Sequence, residues 1–441
     1  MIAIFNVLAF IWIIFWAFKA TRVAAKGGRS SIIAVFVVHA ILCGLPLLLD
    51  AIVGKPEYSR FPGIAAATND DRVGLLYLLY IASCPVLWWR MWRRNLRSEN
   101  RSSTPSPEFM TNPPRWKSFQ YLPIVLSPLL LLAFAPNPEI YLSYTPFQRN
   151  LYTQENAAFY HVFITHATGI SLVAIALLLL RARHFVGAAI VLGPLVVLDF
   201  WLNGKRNIVA MGLVLMFYVM WKRNYLTKRR LYLTGALVAL AFALYSVMYQ
   251  TKWRFSEEHA QSKTLRYWYE NARIDFGRDD VIKLALLAEL EPGQFRILEY
   301  RGQSLMIYLT AAIPRRFWPE KPASYPYRLT ASAEMQPLRS TGGALTTSIL
   351  DETIANFSWL GMILGPLILW WICRLGDSCR NQTISALTVL VACLIQSTHL
   401  IAVIVFVGLW LVLVARIKIL GLLRVILQGP PSQAQLDRRI L

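Results

Sequence analysis

The 441-residue chain has no glycine-rich phosphate loop after a strand-like run, no internal repeat, and only 24 Asp and Glu against 45 Lys and Arg. The first absence removes the usual cradle for a nucleotide, so reaction energy drawn from a nucleotide has to come from elsewhere. The second argues against solenoids and against transporters built from paired halves. The five cysteines (Cys43, Cys84, Cys373, Cys379, Cys393) fall in apolar runs or basic segments, and none lies between Thr251 and Glu352. Neither a disulfide framework nor a Cys-based metal site is offered there. Six histidines are scattered. His161 and His166 are poorly spaced to share a helical face and have no third ligand nearby, which excludes a zinc site. The opening MIAIFNVLAF lacks a basic lead and a small-residue cleavage site, so a retained helix is expected.

What is abundant is hydrocarbon. The chain is 56% hydrophobic with a mean hydropathy of +0.45, and its apolar runs approach the ~20 residues that cross a bilayer as helix. The expected fold is an all-α polytopic membrane protein of about eleven spans, over 2–18, 31–52, 73–89, 119–135, 158–180, 185–201, 207–221, 231–250, 354–373, 382–398 and 400–420. Basic loops alternate with neutral ones. One set, including Lys19 to Arg29, Arg90 to Lys117, Lys222 to Arg230 and the tail, holds about 25 cations against four acids and so accounts for the net charge of +21. By the positive-inside rule this set is cytoplasmic, which puts the N-terminus outside and the C-terminus inside. The sequence pI near 10 is then a topology signal, and nucleic acid is not an expected partner. Four segments follow: spans 1–250 with a Pro/Ser-rich cytoplasmic connector at 90–118, an external loop at 251–353, spans 354–421, and a cytoplasmic tail at 422–441.

The external loop balances fourteen cations with thirteen acids and is long enough to expect function in it. DDVIKLALLAELEPG reads as a short amphipathic helix with acids at its start and Pro-Gly at its end. SLMIYLTAAI is too short to span and suits an interfacial or re-entrant helix. It runs into IPRRFWPEKP, whose prolines fix the backbone that carries Arg315, Arg316, Trp318 and Lys321. Elsewhere, Lys205 and Arg206 in LNGKRNIV break the charge rule on a short external turn. They read either as an anion site or as a snorkelling pair neutralised by Asp199. NARIDFGRDDVI gathers Arg273, Asp275, Arg278, Asp279 and Asp280; the alternatives are a solvated ion network or a carboxylate base beside phosphate-binding arginines. Asp279 and Asp280 also suit a helix N-terminus, and Asp351 and Glu352 suit a cap where a helix re-enters the membrane. The small, hydroxylic run with Gly342, Gly343, Thr346 and Thr347 can approach a sugar closely or be a plain loop. His399 sits in an external turn between the last two spans.

LNGKRNIV on a short turn, RIDFGRD, the WP-x-KP element of IPRRFWPEKP and STGGALTTS, in that order, resemble the Wzy-type oligosaccharide repeat-unit polymerases of O-antigen, enterobacterial common antigen and exopolysaccharide pathways. The architectural likeness covers nearly the whole chain, and the motif likeness is confined to about 203–207 and 273–361. The resemblance implies a GT-C-like glycosyltransferase in the bacterial inner membrane with its active site facing the periplasm. It would move a growing glycan from undecaprenyl diphosphate to a lipid-linked repeat unit, with a Wzz-type chain-length co-polymerase as a further partner and no metal cofactor. It also implies diphosphate binding by Lys205, Arg206, Arg273, Arg278, Arg315, Arg316 and Lys321. A base would come from Asp275, Asp279, Glu352 or His399, and sugar contacts from Trp318, Tyr325, Thr346 and Thr347. The arginine doublet departs from relatives, which often have neutral residues there. An O-antigen ligase or another polyprenyl-phosphate enzyme is the nearest alternative, a metal-dependent one being served by Asp50, Glu57, Asp70 and Asp71. A lipid-linked oligosaccharide flippase is the alternative from another class.

Overall fold

A computed structural model describes the chain except residues 1, 27, 29, 103–119, 142–154, 224, 226–228, 230–231, 238–239, 241–264, 311–312, 314–316, 319, 342–343 and 429–441. Among the described residues there are helices and no strands, and seven helical stretches are long and apolar enough to cross a membrane. They are α1 (Ile2–Ala25), a composite of α2 (Ile32–His39), a π-helical turn and α3 (Leu45–Ile52), α5 (Asp71–Ser102), α7 (Glu155–Arg181), α8 (Phe185–Asn203), a composite of α14 (Ile349–Phe357) and α15 (Gly361–Ser378), and α17 (Leu400–Gln428). Three more of the expected spans are shorter apolar helices: α6 (Leu122–Ala133), α9 (Arg206–Lys222) and α16 (Gln382–Ser397). The expected span at 231–250 lies largely outside the described residues.

Burial sorts these helices. α16 is apolar all round, is buried from Ala386 to Gln396 and packs against α2, α9, α15 and α17, the position that such a helix requires. α8, α17 and α1 are mostly exposed over equally apolar windows, 11%, 22% and 28% buried, so theirs are the faces that hydrocarbon would cover. Glycine-mediated closeness is not needed to fasten α2 to α15: Asp377 accepts from Ser30 Oγ at 2.8 Å, Ser31 Oγ at 2.6 Å and Ser31 N at 2.9 Å. This cross-helix tie fixes the two residues that lead into α2.

The segment between the eighth and ninth expected spans builds a helical cap. α10 (Leu265–Phe276), α11 (Asp279–Leu290), α12 (Gln303–Leu309) and α13 (Tyr325–Glu334) pack with α4 (Pro62–Asn69) over the ends of α3, α5 and α14. The two short helices expected from DDVIKLALLAEL and SLMIYLTAAI are α11 and α12. α11 is not amphipathic, however: every residue from Asp279 to Ala288 is buried, because α4, α5 and α14 all pack on it. RLTASAE, the start of the small and hydroxylic run that leads to Gly342 and Gly343, is helical in α13. The span expected at 354–373 is broken at Ser358, whose φ of +57° ends α14. Ser358 Oγ donates to Glu289 Oε2 and so anchors the break to α11.

Candidate functional site

Three turns bring the sequence-predicted cations and His399 together. LNGKRN turns because Gly204 takes a left-handed φ of +67° after α8, donating its N–H to Phe200 O at 3.0 Å, and Lys205 then lies extended before α9 starts at Arg206. Asn203 fastens the turn to α7 through Thr165 O at 3.0 Å and Thr168 Oγ1 at 2.8 Å. Lys205 is exposed yet surrounded by protein that lowers its ammonium from the usual value. It makes no ion pair among the described residues; Asp199, one turn earlier, is buried apart from it. Nothing is described of the Arg206 side chain.

The second turn is Phe276-Gly277-Arg278. A Cβ on Gly277 would lie 2.7 Å from Arg273 O and 2.8 Å from Asp279 Oδ1, so only glycine allows α10 and α11 to meet this closely. Arg278 is buried and reaches Ser397 O through Nε at 3.1 Å and Nη2 at 2.5 Å, with Gly277 O beside Nη1. Its backbone N–H donates to Leu42 O at 3.0 Å. Leu42 O can accept from outside its helix because the residue four further on is Pro46, which has no N–H, and Ala40–Gly44 is a π-turn. Nothing in the sequence reading singled out Pro46; the signal was a proline within an apolar span.

The third turn carries His399, two residues beyond the carbonyl that Arg278 grips. Burial pushes its imidazole down to about 4, and the charges of Lys205 and Arg278 push the same way. His399 is therefore neutral near pH 7, with Lys205 and Arg278 within electrostatic reach. Close to it, Ile401 joins Ile307, Lys321, Pro322, Ala323, Ser324, Tyr327 and Leu338 around a cavity of about 440 Å³. Lys321 turns its ammonium back onto Thr310 O at 2.7 Å and Ile313 O at 3.0 Å, closing the proline-bounded turn. Trp318 is half-buried, and Arg315 and Arg316 lie outside the described residues.

The remaining predicted residues divide into two buried clusters. In the first, Arg273 binds Asp50 and, at 2.5 Å, Asp279, with Asp280 at 3.6 Å; Lys283 adds Asp279 at 2.8 Å and Asp50 at 3.8 Å. Tyr58 donates to Asp280 and Tyr269 accepts from Arg273 at 2.9 Å. Burial opposes the Asp279 charge, but Arg273 and Lys283 outweigh it and hold the carboxyl low. Burial and the Asp279 charge push the Asp280 carboxyl up. Asp279 and Arg273 are spent on one another, buried at 0% and 2% exposure, so they present no face to a ligand. Asp275 is also buried and lends its backbone carbonyl to Arg278.

In the second cluster, Glu352 Oε1 accepts from Ser304 Oγ at 2.7 Å and from Tyr308. Asp351 completes a capping box with Ser348 at the start of α14, as expected. Tyr325 is buried against Asp351, too deep for stacking on a sugar, and Thr347 is buried while Thr346 is half-buried. Three of the four acids of the first external loop are engaged: Asp50 as above, Glu57 with Arg266 at 2.5 Å, and Asp70 with Arg72 at 2.6 Å. Among the described residues, no group of three or more His, Cys, Asp and Glu is arranged to hold a metal ion.

Fold and site together define a helical, multi-pass type of membrane protein in which Lys205 and Arg278 lie within electrostatic reach of His399. Comparison with protein-family models, with curated proteins and with solved structures finds no match.

Proposed function

We propose that the chain is an integral-membrane glycosyltransferase of the lipid-linked oligosaccharide polymerase kind, working at the outer face of the cytoplasmic membrane. The observation that carries this reading is Lys205, a cation without an ion pair among the described residues, held within reach of His399 beside Arg278. Cations kept at membrane depth call for an anion, and a lipid-linked diphosphate supplies one exactly where a headgroup lies, so the carrier can bring its own leaving group.

In this reading the acceptor hydroxyl oxygen attacks the anomeric carbon, the carbon–oxygen bond to the diphosphate breaks, and the electron pair leaves on phosphate. Lys205 faces that growing charge, and the buried Arg278 adds its positive field from behind. His399 takes the hydroxyl proton: it lies within electrostatic reach of Lys205 and Arg278, whereas Asp279 is paired with Arg273 and Lys283 and Glu352 is hydrogen-bonded to Ser304 and Tyr308. Its depressed basicity is the resting condition. A bound dianion offsets the two cations that lower it and makes the imidazole a stronger base when substrate arrives.

Glycan length tests the reading. Loss of the gene should leave single repeat units on lipid carrier, and an undiminished ladder of long chains would overturn it. Purified protein given only lipid-linked repeat units should lengthen them; transfer of finished chains to another acceptor lipid without lengthening would replace polymerase by ligase.

A further inference from the structure

The two ends of the bundle treat their cations differently. Around the cap, which packs on the start of α5, Arg72, Arg266, Arg301 and Arg328 each pair with an acid. Towards the other end of α5, Lys19 of α1 sets its ammonium over aromatic rings instead. It lies 4.4 Å from the centre of the Trp16 ring, 4.5 Å from that of Trp89 in α5 and 5.6 Å from that of Phe15. One turn further along α1, the Arg22 guanidinium lies 4.3 Å from the centre of the Phe18 ring. Neither cation, nor the exposed Arg93 of α5, forms an ion pair or a side-chain hydrogen bond with a described residue. A ring face attracts a cation through its quadrupole but carries no net charge, so it orients the cation and leaves its charge in place.

Helix register brings the three cations to one level. Trp12 Nε1 donates to Ala82 O at 3.1 Å, and the Trp16 and Trp89 rings meet with centres 5.5 Å apart, so α1 and α5 run side by side in the same direction. Arg22 follows Lys19 by three positions and Arg93 follows Trp89 by four, and both spacings keep a helix face, which places both arginines one turn beyond the ring-held ammonium. In the other direction along α1 the surface is apolar and open. Ile11, Phe15 and Phe18 are 56%, 49% and 43% exposed, and with Arg22 they make an i, i+4, i+7, i+11 stripe. That stripe covers about 16 Å of helix, close to the roughly 15 Å of hydrocarbon in one leaflet.

Cations that no acid balances, at the edge of hydrocarbon, call for an anion, and the open stripe calls for an apolar body attached to it. Inorganic phosphate meets the first demand and not the second. A zwitterionic lipid meets the second but offsets its own phosphate. We propose that the seam between α1 and α5 at this end binds an anionic phospholipid, its phosphate held by Lys19, Arg22 and Arg93 and one acyl chain laid along Ile11, Phe15 and Phe18. The lipid joins two helices that Trp12, Trp16 and Lys19 already hold together. The site stands at the far end of α5 from the cap, and it does not rest on the polymerase reading.

Native mass spectrometry of the full-length protein in detergent, titrated with phosphatidylglycerol or with phosphatidylcholine of the same acyl chains, tests the proposal. The first phosphatidylglycerol should bind roughly tenfold or more tightly than the first phosphatidylcholine. Arg22→Gln and Arg93→Gln should each weaken phosphatidylglycerol binding by roughly fivefold and leave phosphatidylcholine binding as it was. Both arginines are exposed and neither forms an ion pair with a described residue, so the variants should elute as the wild type does in size-exclusion chromatography. Arg416→Gln removes an exposed cation from α17 and should leave phosphatidylglycerol binding unchanged. Equal affinity for the two lipids overturns the proposal, as does unchanged phosphatidylglycerol binding when Arg22→Gln and Arg93→Gln are combined. An equal loss in Arg416→Gln overturns it too, because the attraction is then one of net charge. Displacement of the lipid by equimolar inorganic phosphate would hand the cations to a free anion and overturn it as well.

Discussion

Arg273 and Arg278 stand five residues apart in one charged run, and the fold treats them in opposite ways. Arg273 points into the protein, where Asp50, Asp279 and Asp280 surround it. Arg278 begins the next helix and is gripped by the carbonyls of Gly277 and Ser397, dipoles that carry no formal charge. The difference is one of partner: carboxylates from two other positions weld Arg273 into the protein, and the carbonyl of Ser397 ties Arg278 to the turn before α17. Asp50 makes the weld long-range, since it ties α3 to α10 across 223 positions. Arg278 in turn lies within electrostatic reach of His399, as Lys205 does.

The contrast can be broken most violently at the weld. Arg273→Ala leaves Lys283 as the one cation among three buried carboxyl groups and should cost about 3–5 kcal/mol, seen as loss of monodisperse folded protein in size-exclusion chromatography of detergent extracts. At Lys205 the pattern inverts. Lys205→Ala removes no ion pair among the described residues and should leave the unfolding midpoint within the change expected of about 0.5 kcal/mol, while glycan lengthening falls by roughly a hundredfold; a large loss of stability with normal chain length would erase the distinction. Pro46→Ala should give an intermediate result. It supplies the missing N–H to Leu42 O, frees the Arg278 backbone, and should slow lengthening by about tenfold or more with stability changed by about 1 kcal/mol or less.

The smallest effect is titration. His399 is depressed from 6.5 to about 4. Between those values the unfolded chain takes up a proton and the folded one does not, so stability should fall as pH drops from 6.5 towards 4. His399→Gln should flatten that part of the midpoint-against-pH curve, and an unchanged slope would place the titrating group elsewhere.

The helical, membrane-crossing class was legible because apolar run length is a local property, and ten of the expected spans correspond to described helices. The break at Ser358 was not, since it depends on Glu289 reaching from α11. At the site, the LNGKRN turn was legible through its glycine and its misplaced cations. Arg273 was read as a phosphate ligand because its decisive partner, Asp50, lies in another span. Lys321 was read the same way, but its partners are backbone carbonyls that no side-chain pattern announces. The oxygens around Glu352 escaped for a similar reason: capping explained the acids locally, and Ser304, Tyr308 and Tyr325 come from two other helices.

The rung that Pro46 leaves open in its own helix has a consequence for biogenesis. Leu42 O belongs to an early span, and its donor, the Arg278 N–H, is synthesised more than two hundred residues later. Until that donor arrives, a carbonyl in hydrocarbon lacks its final mate, a state that costs several kcal/mol if nothing substitutes. The early hairpin is thus an unfinished joint during translation. Closing it couples release of a mature protein to arrival of the Arg278 turn, so a chain truncated before α11 carries a built-in mark of incompleteness.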